Sequence, residues 1–144
     1  MLRELARCYQ AFEAYSSTHV RSLGLTPSQF DIVATLGNTP GMSFRELGEK
    51  TLITKGTLTG VVDRLEAQKL VRRSASPEDG RSMIVSLTPT GERLFRRTFD
   101  AHLAHLRLAL GGLDAKRIAQ IEATLRGLRE TFAAIGGRKT GAKR

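Results

Sequence analysis

SFRELGEKTLITKGTLTGVVDRLEAQKLVRRSASPEDGRSMIVSLTPTG, residues 43–91, is the stretch whose order of signals decides the fold. Ser43 followed three residues later by Glu46 is a capping box, so a short helix opens there and carries Phe44 and Leu47 inward. Leu52-Ile53 forms an apolar turn, and Thr54 caps a second helix that packs through Leu58, Val61, Val62 and Leu65. Two helices joined by so short a turn must cross steeply. Leu70–Ser74 and Met83–Leu87 are strand-like, and Met83, Val85 and Leu87 alternate with Ile84 and Ser86. Between them lie turn formers, with Pro77 and Gly80 placed to bend the chain, and Thr88-Pro89 starts another helix. Helix, turn, helix, hairpin, helix is the order of a winged helix-turn-helix, which lays one helix in a DNA major groove and a basic hairpin beside it.

Working outward, Leu2 to about Leu23 reads as a helix, with Leu5, Cys8, Tyr9, Phe12 and Tyr15 on one face and Gly24 at its end. Thr26-Pro27-Ser28-Gln29 is a helix start with cap, first-turn proline and capping box. That helix carries Phe30, Val33, Ala34 and Leu36 and stops at Gly37–Gly41. Beyond Thr88 a long helix runs to about Leu110, Gly111-Gly112 breaks it, and Asp114 caps a last helix. There Ile118, Ile121, Leu125, Leu128, Phe132 and Ile135 step by three and four. The expected architecture is mainly α with a small β wing. Residues 1–135 form the domain: a DNA-binding winged helix at about 26–91, and dimerisation helices at about 2–23 and 89–135. Residues 136–144, with four basic residues, no acidic ones and three glycines, are expected to be a disordered tail.

Composition narrows the partner. The 144 residues carry a formal net charge of +9, which favours a polyanion. No apolar run approaches the roughly 18 residues that span a membrane, so no membrane partner is expected. Met1-Leu2-Arg3-Glu4 opens no signal peptide, and the single cysteine, Cys8, excludes an intrachain disulfide; both fit a cytoplasmic protein. No HExxH, Gly-rich phosphate loop or nucleophile–base motif occurs, and histidine numbers only three, so neither catalysis nor a cofactor is implied.

Early, exposed positions of a recognition helix reach base edges: here Thr54, Lys55, Gly56, Thr57 and Thr59. Gly56 and Gly60 allow close backbone approach. Arg64 reads as a phosphate contact or as an ion-pair partner of Asp63 or Glu66. Of the adjacent Arg72 and Arg73, which point to opposite faces, at most one meets the duplex, and Arg73 is the candidate. Arg81, beside Ser82 at the hairpin tip, suits a narrow, negative minor groove. Asp79 would be repelled by DNA and is expected to orient an arginine instead. Ser43 and Arg45 could hold phosphate at a helix start.

Taken together, Thr26-x-x-Gln29-Phe30, Arg45–Gly48, Val62–Glu66, Leu70–Arg73, Pro77–Arg81 and Val85-Ser86-Leu87-Thr88-x-x-Gly91 resemble the MarR family of bacterial transcription regulators, over about Leu2 to Ile135. The resemblance implies a homodimer whose first, fifth and sixth helices form the dimer lobe, an inverted-repeat (near-palindromic) operator on double-stranded DNA, and relief of binding by a small ligand or oxidant. Two positions depart from the family pattern. Gln68-Lys69 stands where a glycine is usual before the first wing strand, and Gly60 stands where relatives often carry arginine.

The apolar seams of the first and last helices and the stripe Phe95, Phe99, Leu103, Leu106, Leu110 call for a second copy of the chain. A pocket lined by Phe12, Tyr15, His19, Phe30, Arg96 and Phe99 would suit an aromatic or phenolic carboxylate; the same aromatics could equally be ordinary core. Cys8 invites a redox-sensing reading, since oxidant-sensing relatives use a cysteine on this helix, but its apolar face favours a buried, inert thiol. His102 and His105, with His19 as third ligand, could bind a metal as in zinc-responsive relatives. No complete ligand set is evident, so no metal site is assigned and a polar seam is favoured. The leading function is a ligand-relieved, homodimeric repressor. The competing one is a sequence-tolerant architectural DNA-binding protein.

Overall fold

Capping chemistry sets the helix boundaries of the computed structural model, which describes residues 1–80 and 82–138, with side chains to residue 135. Helix α1 spans Leu2–Ser22 and ends where Gly24 takes a left-handed φ of 85°. Helix α2, Pro27–Leu36, carries the complete capping box: Gln29 N–H donates to Thr26 Oγ1 at 3.2 Å, and Thr26 N–H to Gln29 Oε1 at 3.0 Å. Helix α3, Phe44–Lys50, repeats the device with Ser43 and Glu46. Helix α4 is Lys55–Ala67, α5 is Pro89–Leu110 and α6 is Ala115–Arg138, where Asp114 Oδ1 accepts from Arg117 N–H at 2.7 Å. Helix α6 thus runs to Arg138, past the expected start of the tail; residues 139–144 lie outside the described residues.

Three antiparallel strands form one sheet in the order β1-β3-β2: β1 is Met42–Ser43, β2 Val71–Ala75 and β3 Met83–Leu87. Strand β1 pairs Met42 with Val85 and Ser43 with Ile84. Two residues carry no alternation, so the sequence pattern did not reveal it. The chain enters it through Gly41 at φ 104°, where a Cβ would lie 2.7 Å from the Val85 carbonyl oxygen. Burial along β3 grows toward its end rather than alternating: Val85, Ser86 and Leu87 are all buried. Ser86 can be buried because its Oγ accepts from Arg72 Nε at 3.3 Å.

The core gathers Ile32, Val33 and Leu36 of α2, Leu47 of α3, the inner face of α4, and Val71, Val85 and Phe95. It fixes α4 against the sheet. The chain divides into two compact units, Met1–Leu106 and Arg107–Arg144. In the first, the α1 side chains Tyr9 and Phe12 are half exposed, and Val20 is the buried residue of that helix. In the second, Ile118, Ile121, Leu125, Phe132 and Ile135 of α6 all stand exposed.

Candidate nucleic-acid interface and adjoining cavity

The two faces of α4 divide cleanly. Leu58, Val61, Val62 and Leu65 are buried, while Lys55, Gly56, Thr57, Thr59 and Arg64 face outward. A Cβ added at Gly56 or Gly60 meets nothing within 4 Å, so packing does not require glycine at either place. Thr54 holds the N-cap position, but its hydroxyl lies 3.0 Å from the Thr57 hydroxyl instead of accepting a backbone N–H. The first-turn N–H groups of α4 therefore lack a side-chain cap.

Arg73 does something other than reach for a duplex. Its guanidinium pairs with Asp63, lies 3.4 Å from Glu66 Oε2, and sits 5.3 Å from the centroid of the Phe44 ring. Only a quarter of the side chain is exposed. Arg73 thus ties β2 to α4 and α3, and the reading of it as a DNA contact gives way to a positioning role. The same pairing occupies Asp63 and Glu66, the expected ion-pair partners of Arg64. Arg64 has no ion pair among the described residues.

Ser43 is also spoken for. Glu46 Oε2 accepts both its N–H and its hydroxyl at 2.8 Å, and these bonds hold the Glu46 carboxyl below its usual pKa. A carboxylate at that helix start opposes phosphate, which leaves Arg45 as the outward cation there. Its side chain is 86% exposed, with Nε 3.1 Å from Glu49 Oε1. At the hairpin tip Ser82 Oγ donates to Asp79 Oδ2 at 2.8 Å, and Ser76 Oγ accepts from the N–H groups of Glu78 and Asp79. Arg81 lies outside the described residues.

A cavity of about 420 Å3 opens behind this surface, walled by α1, α2, α5 and the turn before α4. Phe12, Phe30 and Phe99 line it as expected. Tyr15 and His19 do not. Tyr15 donates to the His105 carbonyl at 2.9 Å and stacks on the His105 ring, while His19 stacks on His105 and has Nδ1 3.0 Å from His102 Nδ1. Arg96 is exposed and absent from the wall, so the cation expected for a carboxylate ligand is not there. The charged lining residues are instead Glu13 and Asp31.

Asp31, which sequence reasoning missed, connects the cavity to the DNA-facing helix. Its Oδ2 accepts from Leu52 N–H at 2.8 Å, and Leu52 and Ile53 both line the cavity just ahead of α4. Burial pushes the Asp31 carboxyl above its usual pKa, partly offset by that N–H. No sequence signal marks a lone aspartate that caps a turn 21 residues away. His102, buried between α1 and α2, contacts Ser16 Oγ at 3.1 Å and meets the Phe30 ring edge-on. Burial, then His19 and His105, lower its pKa, and burial and His105 lower that of His19. No group of three or more His, Cys, Asp or Glu among the described residues is arranged to hold a metal. Cys8 is exposed, not buried, because nothing within its own unit covers that face of α1.

Comparison with known proteins agrees with this geometry. The sequence model of the MarR family matches residues 23–82. A homoprotocatechuate degradative operon repressor of Escherichia coli is 30% identical over 132 residues, covering 92% of this chain and 86% of that protein. The structure of Bordetella bronchiseptica BpsR, whose DNA binding is regulated by 6-hydroxynicotinic acid, is similar with a TM-score of 0.78 and 29% identity, covering 88% of this chain and 91% of that one. A MarR-family regulator from Listeria monocytogenes, solved with a 26mer DNA, shares the fold with a TM-score of 0.83 at 20% identity, covering 100% of this chain and 97% of that one. Among the described residues no helix is long and apolar enough to cross a membrane. A winged helix with an outward-facing recognition helix, joined to similarity over nearly the whole chain, makes this protein a DNA-binding transcriptional regulator, not an enzyme, and a member of the MarR family.

Proposed function

We propose that the protein is a cytoplasmic, homodimeric repressor that binds an inverted-repeat operator and is released from it by a small aromatic ligand. The observation that carries this reading is the division of α4. Four apolar residues anchor it, and its outward face offers Lys55, Thr57, Thr59 and Arg64 with open space above Gly56 and Gly60. Lysine can bond guanine acceptors, threonine methyls can meet thymine, and the glycines let the helix approach the groove floor. Arg45 and Arg64 supply phosphate contacts. Arg81 supplies the minor-groove contact on sequence grounds, between Gly80 and Ser82. The exposed apolar residues of α1 and, separately, those of α6 each call for cover by a second copy, which would set two recognition helices on two half-sites. The aromatic cavity, tied through Asp31 and Leu52 to the start of α4, supplies the ligand response. The similar BpsR, whose DNA binding is regulated by 6-hydroxynicotinic acid, and the similar repressor of a homoprotocatechuate degradative operon support a ligand with an aromatic ring.

Selection of bound sequences from random duplex DNA at about physiological salt tests the reading, because non-specific attraction is partly suppressed there. An enriched inverted repeat is expected, and Arg81→Ala should weaken binding to it while leaving the dimer intact. Uniform binding that falls with salt and enriches nothing would instead mark a sequence-tolerant architectural protein.

A further inference from the structure

The charge of the cavity runs opposite to the charge of the chain. The protein carries +9, yet among the described residues no Lys or Arg lines this cavity, while Asp31 and Glu13 do. His102, the remaining basic group in the wall, is made a weaker base by burial, then by His19 and His105. A carboxylate entering here would lose hydration, gain no cation and face Asp31. A ring that carries a hydrogen-bond donor meets a different site. Asp31 gives one oxygen to Leu52 N–H, and a carboxyl group has further lone pairs with which to accept. Phe12, Phe30 and Phe99 offer ring faces, which attract an arene and, more strongly, a cation attached to one.

Resting on the reading of this cavity as the ligand site, we propose that it selects aromatic rings bearing a neutral or cationic hydrogen-bond donor and discriminates against aromatic carboxylates, with Asp31 as the selecting acceptor. This departs from the aromatic-acid ligand that an arginine in the wall would have favoured. Arg96 is not in that wall, and the carboxylate of Asp31 is.

Three probes with the same benzene ring and no phenol separate the possibilities: benzylamine, benzyl alcohol and benzoate, titrated calorimetrically into the full chain near neutral pH. The ammonium and alcohol compounds are expected to bind about tenfold or more tightly than the carboxylate, the scale of one hydrogen bond to a charged group. In Asp31→Asn, whose amide oxygen can still accept from Leu52 N–H, that preference should collapse. Equal or tighter binding of benzoate to the unaltered protein overturns the proposal and leaves the ligand site standing. A preference that persists in Asp31→Asn removes the selecting role from Asp31. Selective binding that never releases operator DNA supports the chemistry and retires the ligand-release reading. No binding of any probe by protein that still holds DNA overturns both.

Discussion

Lys69 shows how one residue can serve a turn at a cost. It follows the C-terminal end of α4 with φ 59°, the left-handed conformation that closes a helix, and its N–H donates to the Glu66 carbonyl at 2.8 Å. Glycine is usual here in the family the sequence resembles, and the backbone keeps the glycine conformation with lysine in place. Lys69→Gly is therefore expected to raise stability by about 0.5–1 kcal/mol, since the left-handed penalty of an L-residue exceeds the entropy cost of glycine. Gly91 is the reverse case. A Cβ there would stand 2.0 Å from the Leu70 carbonyl oxygen, which also accepts from Thr88 N–H at 3.0 Å. Gly91→Ala should cost about 2–3 kcal/mol, because backbone and not a flexible side chain must move. Urea unfolding midpoints of the two variants check both signs; a neutral Gly91→Ala would mean that α5 starts farther from Leu70.

Between elements, Arg73 is the joint. It holds the first wing strand to the recognition helix through Asp63 and Glu66, and to α3 through the Phe44 ring. Arg73→Gln is expected to lower stability by about 1–2 kcal/mol, a partly buried ion pair and a cation–π contact discounted for exposure of the acids. Operator affinity should fall with it, while the slope of log affinity against log salt stays as in the parent. A direct phosphate contact would reduce that slope by about one. Binding measured across a salt series distinguishes the two roles. The start of α3 beside this joint was legible because its capping box is local chemistry, closed within four residues. The joint itself was not. Adjacent arginines on a strand point to opposite faces, and which face carries acids depends on how α4 crosses the sheet.

At the scale of the whole molecule, three rings from two distant helices meet. His19 of α1 and His102 and His105 of α5 stack, with Tyr15, Ser16 and Phe30 around them. Burial lowers the pKa of His19 and His102, so the folded chain binds protons less readily than the unfolded chain, whose histidines titrate near about 6.5. Where the unfolded state binds more protons, stability rises with pH. The contribution is thus complete above about pH 6.5 and is lost as pH falls through the lowered folded values. Asp31, shifted upward, acts in the opposite sense in the more acidic carboxylate range. The melting temperature is expected to drop between about pH 7.5 and 5.5, and to drop less in His102→Gln. Equal profiles for the two proteins would show that the ring cluster does not carry the dependence. The same scale explains Cys8, Tyr9 and Phe12. They lie on an apolar face as their spacing indicated, yet stand largely exposed, because nothing in the unit Met1–Leu106 packs fully over that face; the second copy proposed above would lie against part of it.

The sequence by itself determined the helices, the two wing strands and their order, the capping boxes of Thr26 and Ser43, the hairpin between about Ser74 and Met83, and the outward face of the recognition helix. Each rests on contacts within a few residues or on a periodicity that one helix displays alone. The tertiary structure decided what depends on distance across the fold. It paired the two-residue strand at Met42 with β3, turned Arg73 onto Asp63 and Glu66, and kept Arg96 out of the cavity. It also gave Asp31 to the Leu52 N–H. Such pairings join residues from 7 to 43 positions apart along β2, α4 and the sheet or across the cavity. No local pattern records them, because side-chain direction at long range follows from how helices and strands pack, not from the spacing within any one of them.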